Sequence, residues 1–176
     1  IDTISEVEFF KFNNKQYSNN LINKLALFSK TSSEYLSLED EFNEDFDGDG
    51  NIGAAYVNKE AKGSITLAAK GGLIYAKSSG STSYVAITES NGNQYREQMW
   101  GAWQATAAET INGINTVAWK HNSSGSIWLS RHNSDWKFIG DGGYGNGSKL
   151  ATTEKNFQID FDGDGNIGAA YVNKEA

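Results

Sequence analysis

Cysteine is absent from the 176 residues. That excludes disulfides, thiolate metal sites and a cysteine nucleophile, and it suits either a reducing compartment or a surface protein stabilised by other means. No run of about 18 apolar residues occurs, so no membrane-inserted helix is expected. Positive charge is in deficit: 15 Lys and Arg stand against 22 Asp and Glu, a net charge of −7. Phosphate binding needs a clustered basic excess, which argues against nucleic acid as a partner. Histidine is scarce, with only His121 and His132. The motifs HExxH, GxSxG and GxxxxGKS are missing. The glycine-rich GDGGYGNGS reads as a loop, not a nucleotide cradle. Carboxylates are numerous enough for a glycosidase pair, yet nothing in the sequence places two of them around a cleft. A non-enzymatic role is expected. The chain opens on Ile1 without a signal-peptide pattern and reads as a piece of a longer polypeptide.

What is present is aromatic and glycine-punctuated. Hydrophobic residues make up 38%, and aromatic residues 12%, including five Trp, eight Tyr and nine Phe. Large flat side chains must supply much of the core. Nineteen Gly, with abundant Ser, Thr and Asn, favour many short strands joined by tight turns. The expected fold is mainly β, an antiparallel meander or sandwich, with short helices leading into acidic loops. Residues 3–12 read as a strand, and NNKQYSNN after them as turn-rich. Residues 20–29 read as a short amphipathic helix or an extended run, and 32–42 as a helix opening on Ser32. Three strands are expected between Lys62 and Asn93, with turns at Lys70-Gly71-Gly72 and Ser78-Ser79-Gly80. The Ala-rich segment 99–113 is ambiguous. Residues 114–120, 126–132 and 135–141 read as a meander, and 148–159 as a helix capped by Ser148.

The stretch DFDGDGNIGAAYVNKEA occurs twice without change, at 45–61 and at 160–176. The match extends upstream, where Glu39 aligns with Glu154 and Phe42 with Phe157. A tandem array with a period of about 115 residues explains this. The chain then divides into the end of a preceding repeat or region (1–44), a first loop-linker (45–61), a tryptophan-rich β body (62–159) and a second loop-linker (160–176).

Asp45, Asp47 and Asp49 alternate and are followed by Gly50, as in the first half of an EF-hand loop. Alternate side chains converge on one point while the glycine takes the sharp turn. Ca²⁺ is the expected ligand, held by Asp45, Asp47, Asp49 and the carbonyl of Asn51, and in the second copy by Asp160, Asp162, Asp164 and Asn166. Ile52 and Ile167 would anchor the loops to the core. The bidentate Glu of an EF-hand is missing, because Tyr56 and Tyr171 stand at that position. A last carboxylate must come from Glu39 and Glu154 upstream, or from Glu60 and Glu175 downstream.

The five tryptophans lie between 100 and 136. Trp119 and Trp128 sit in strand patterns and are expected in the core. Trp100 and Trp103, with Tyr144, are candidate contacts for a glycan. The segment 54–61 and its copy 169–176 read as strands able to complete the sheet of a neighbouring unit, in the same chain or another, through Ala55, Tyr56, Val57, Ala170, Tyr171 and Val172.

The runs WQATAAETINGINTVAWK (103–120), IWLSRHNSDWKFIG (127–140) and TEKNFQIDFDGDGNIG (153–168) resemble the tryptophan-rich repeat domains of cyanobacterial secreted and surface proteins. IDTISEVEFFKFNNKQYS (1–18) is similar to the segment that closes a block of haemolysin-type (RTX) calcium repeats, with Asn13-Asn14 in place of the usual Asp. Both resemblances imply a large, secreted, multi-repeat surface protein exported without a cleaved signal. The expected role is that of a calcium-binding unit in a fibre, sheath or adhesin stalk, with neighbouring copies of itself as partners. The alternatives are a carbohydrate-binding module for a cell-surface glycan, or a non-catalytic appendage of a secreted hydrolase.

Overall fold

The computed structural model describes residues 9–12 and 15–169 and divides into two compact units, Ile1–Ala55 and Tyr56–Ala176. In the first unit, β1 (Phe9–Phe12) pairs antiparallel with β2 (Lys15–Ser18). The segment expected to be turn-rich thus contributes a strand of its own. Helix α1 (Asn19–Leu27) follows, and Ser18 Oγ caps it by accepting from Leu21 N–H at 3.3 Å. Helix α2 (Ser33–Phe42) is capped by Ser32, which accepts from Tyr35 N–H at 3.2 Å, as the sequence predicts. It ends on Asn43 in the left-handed region (φ 52°), a common helix stop. Leu21 and Leu38 form a small core with Ile22, Leu25 and Phe46 packed on it.

The second unit carries two antiparallel sheets. One has the order β3-β4-β5-β6, from β3 (Val57–Glu60), β4 (Ile65–Lys70), β5 (Leu73–Ser78) and β6 (Val85–Ala86). The other has the order β11-β10-β9-β8-β7, from β7 (Gln98–Met99), β8 (Trp103–Ile111), β9 (Ile114–His121), β10 (Ile127–His132) and β11 (Phe138–Tyr144). The architecture is mainly antiparallel β with a few short helices, as expected.

Most of the ambiguous Ala-rich segment is the strand β8, which lies between β7 and β9 in the five-stranded sheet. Ala105 and Ala108 join Leu67, Ile74, Val117, Trp119 and Trp136 in a core built from both sheets. Ala107 points into a second cluster with Ala118, Ile127, Phe157 and Phe161. A register shift between Ala105 and Ala107 gives the strand a bulge there. Buried on both faces, β8 has room only for small side chains, and tertiary packing overrides the helical leaning of alanine. The β8–β9 turn uses Asn112 (φ 51°) and Gly113 (φ 79°), the pairing that a two-residue hairpin favours.

Two expectations need correction. GDGGY is strand and not loop: it forms most of β11, paired with β10 through two register shifts. Helix α3 is shorter than expected (Leu150–Phe157) and Ser148 does not cap it, because 147–149 form a preceding 3₁₀ turn. No helix among the described residues is long and apolar enough to cross a membrane.

Candidate metal centres and an aromatic cleft

Each acidic loop is wound by its own side chains. In the first, Asp45 accepts from Gly48 N–H at 2.6 Å and from Gly50 N–H at 2.9 Å. Asp47 accepts from Asp49 N–H at 3.0 Å, and Asp49 from Asn51 N–H at 2.7 Å. The second loop repeats this skeleton: Asp160 accepts from Gly163 and Gly165 at 2.6 and 2.8 Å, Asp162 from Asp164 at 3.0 Å, and Asp164 from Asn166 at 2.7 Å. These bonds hold Asp45 below the usual carboxylate range, chiefly through the Gly50 N–H, and Asp160 likewise through the Gly165 N–H.

A helix supplies the group that closes each loop. Glu39 on α2 is fully buried. It accepts from Phe46 and Asp47 N–H at 2.9 and 3.1 Å and, with its other oxygen, from Gly53 N–H at 3.0 Å. Glu154 on α3, equally buried, accepts from Phe161 and Gly168 N–H, both at 2.9 Å. One carboxylate therefore ties the start of the loop to its end.

Glu39, Asp45 and Asp47 each offer an oxygen within 4.8 Å of the others, and so do Glu154, Asp160 and Asp162. The upstream glutamates are thus the ones that converge with the loop aspartates. Glu60 lies in β3 and accepts from Lys62 N–H, and Glu175 lies outside the described residues. Asp49 and Asp164 are not in these groups; each carboxylate is turned onto the following Asn N–H, and the side-chain amides of Asn51 and Asn166 bond back to them. In the second loop, Asp162 is raised: the Asp164 N–H lowers it, but burial and the charges of Asp164 and Glu154 outweigh that. Carboxylates crowded in this way favour a cation among them.

Ile167 does not anchor its loop, being 48% exposed, and Ile52 is only half-buried. The buried anchors of the second loop are Phe161 and Glu154. Two residues with no role assigned from sequence matter here. Gly53 (φ 69°) and Gly168 (φ 98°) receive the glutamates, and a Cβ at Gly53 would lie 2.4 Å from the Asp40 carboxylate. The signal available was the recurrence of Glu39 and Glu154 six residues before the first Asp of each loop.

β3 follows the first loop and pairs with β4 in the register Val57↔Ala69 and Asn58↔Ala68. Tyr56 stacks on Tyr84 with ring centroids 3.8 Å apart and planes 5° apart, and meets Tyr75 edge-on at 5.0 Å. Ala55 precedes the strand. Ala170, Tyr171 and Val172, the matching positions of the second copy, lie outside the described residues.

The tryptophans divide. Trp119 is fully buried, and its indole N–H donates to Ser130 Oγ at 2.9 Å, which in turn contacts His132 Nε2 at 2.9 Å. Trp128, expected in the core, is half-buried: it packs against the core and also lines a cleft of about 310 Å³ with Trp100, Trp103 and Tyr144. All three candidate glycan contacts therefore meet at one place. His121 lies edge-on to Trp103 at 5.0 Å, at the opposite end of β9 from the pairing position of His132.

The segment that carries the tryptophan-bearing sheet and the second acidic loop matches a known family. The model of the tryptophan-rich Synechocystis species C-terminal domain fits residues 66–168. The chain belongs to this family. The tryptophan-rich domain runs from β4 to Gly168 and so contains the aromatic cleft and the second acidic loop, while residues 1–65 fall outside the match. No curated protein and no solved structure matches the chain.

Proposed function

We infer that this tryptophan-rich domain is a calcium-binding unit of an extracellular repeat array, in which metal-stabilised loops join successive units. The observation that carries the reading is the duplication of one site in full. Glu39, Asp45 and Asp47 recur as Glu154, Asp160 and Asp162, with matching bonds from Phe46 and Phe161 and from Gly53 and Gly168, and the same 4.8 Å grouping. The donors are all hard oxygens, which suits Ca²⁺; Mg²⁺ is disfavoured because it sheds its water reluctantly. Asp49 and Asp164 would complete the shell by turning from the Asn N–H to the ion.

The seating of β3 supports the array. The copy of this segment at 170–176 has the same sequence, and would add to the β4 edge of a following unit as Val57–Glu60 adds to β4 here. The similarity of residues 1–18 to the end of an RTX block supports the same surface setting.

Calorimetric titration with Ca²⁺ tests the reading. Binding of two ions is expected, falling to one in Glu154→Gln and in Glu39→Gln. Absence of heat at millimolar Ca²⁺, in a chain whose folding is verified by circular dichroism, would refute it.

A further inference from the structure

The cleft between Trp100, Trp103, Trp128 and Tyr144 presents aromatic rings and little else. Its shape bears on what fits. Trp100 and Trp128 stand at 84° with centroids 5.4 Å apart, and Trp103 and Tyr144 at 48° and 6.2 Å. A coplanar row would suit the flat face of a sugar or of a polysaccharide chain. Walls at steep angles suit a rounded group approached from several sides.

The hydrogen-bonding capacity of the lining points the same way. Its only polar side-chain groups are indole N–H groups and one phenol. The Trp128 N–H is already donated to Asp141 Oδ1 at 2.7 Å. A sugar pressing its hydroxyls against these walls would give up water without replacement. The methyl groups of a quaternary ammonium have no hydrogen bonds to give up, and its weak hydration is offset by the ring faces.

Charge selects further. Asp141 is exposed and ionised, held below the usual carboxylate range by the Gly143 N–H, the Trp128 indole and the charge of Arg131, whose guanidinium donates to the Asp141 backbone carbonyl. Both bonds fall on Oδ1. An indole that donates to an anion is polarised toward a more electron-rich ring face. The chain carries a net charge of −7. Tryptophan faces attract cations, most strongly when the cation is poorly hydrated. Trp100 adds one more observation: at φ 49° it occupies a backbone region that few residues other than Gly, Asn or Asp adopt, and its side chain is still 53% exposed. Its ring meets Tyr95, Trp119 and Trp128 edge-on, yet about half of it stays open to a ligand.

We propose that this cleft binds a methylated ammonium group of the choline type, carried by a small molecule, a surface polymer or a lipid head group. The proposal is independent of the calcium loops. The test is titration of the 176-residue chain with choline, followed by tryptophan fluorescence and calorimetry. The tert-butyl analogue of choline, of the same shape and uncharged, and methyl glucoside serve as comparison ligands. Choline should bind at one site, with the uncharged analogue roughly tenfold weaker. Trp100→Ala should weaken choline roughly tenfold. Asp141→Asn, which keeps an acceptor for Trp128 and Gly143 and so keeps the fold, should weaken it severalfold. Phosphatidylcholine vesicles distinguish the source: co-sedimentation that free choline competes away assigns a lipid head group, and choline binding without it assigns a small molecule or polymer. Equal binding of the uncharged analogue, binding of the glucoside alone, or no choline binding by the folded chain would overturn the proposal.

Discussion

His132 shows how a single residue ties stability to pH. It is 1% exposed, with Ser130 Oγ on one ring nitrogen and the Trp136 carbonyl on the other. Burial depresses its pKa from 6.5 to about 4. The unfolded chain therefore takes up the proton first as pH falls. Stability is whole above pH 6.5 and declines from there to about pH 4, by roughly 3 kcal/mol. Denaturant unfolding in chelator at pH 7 and pH 4 checks this: the loss should be smaller in His132→Gln by about that amount, and equal losses would remove His132 as the cause. Glu154 gives a second prediction. With both oxygens accepting backbone N–H groups, Glu154→Gln sets an amide donor against a donor. A loss of about 1–3 kcal/mol is expected even without metal, read as a lower melting temperature in chelator.

At the scale of the element, β8 carries the tightest constraint. Ala107 is fully buried against Phe157 and Phe161, and Ala108 sits 1% exposed in the inter-sheet core. Ala107→Val adds bulk where α3 packs, and should destabilise by roughly 1–3 kcal/mol in chemical denaturation despite its better strand propensity. A neutral or stabilising result would mean that the layer behind β8 is loose. Helix starts illustrate what local sequence reveals. Ser32 caps α2 through a bond three residues long, fully written in its own neighbourhood. Ser148 satisfied the same rule and failed, because Gly147–Lys149 turn before α3 begins. The strand expected over 135–141 starts later and runs on to Tyr144, and its second half was hidden for a different reason: the glycines carry no strand propensity, and they extend because β10 offers an edge to pair with.

At the scale of the whole molecule, division into two compact units, each with one acidic cluster, sets the thermal behaviour. Scanning calorimetry in chelator should resolve two transitions, and Ca²⁺ should raise both. At 100-fold excess over the dissociation constant, a site adds about 2.7 kcal/mol to its own unit. A rise confined to one transition would leave a single working site, and no rise would remove the metal from the stability of the fold. Tyr56→Ala, which removes the stack on Tyr84, should speed amide exchange along Val57–Glu60 without shifting the lower transition if that transition belongs to residues 1–55.

The sequence by itself determined the elements whose causes are local or repeated: the duplicated Asp-Gly loop, the cap at Ser32, and the recurrence of Glu39 as Glu154. Periodicity and turn residues act over a few positions, so they can be read along the chain. Tertiary structure alone decided which carboxylate converges with the loop aspartates, since Glu39 and Glu60 are equally plausible in one dimension. It alone settled that the alanines form an interior strand of the five-stranded sheet, because their size matters only once layers face them from both sides. It alone placed Trp128 at the edge of the core, where it also lines a cleft with Trp100, Trp103 and Tyr144. Those four residues come from three strands and a turn, and only the register of the five-stranded sheet brings their rings within reach of one another.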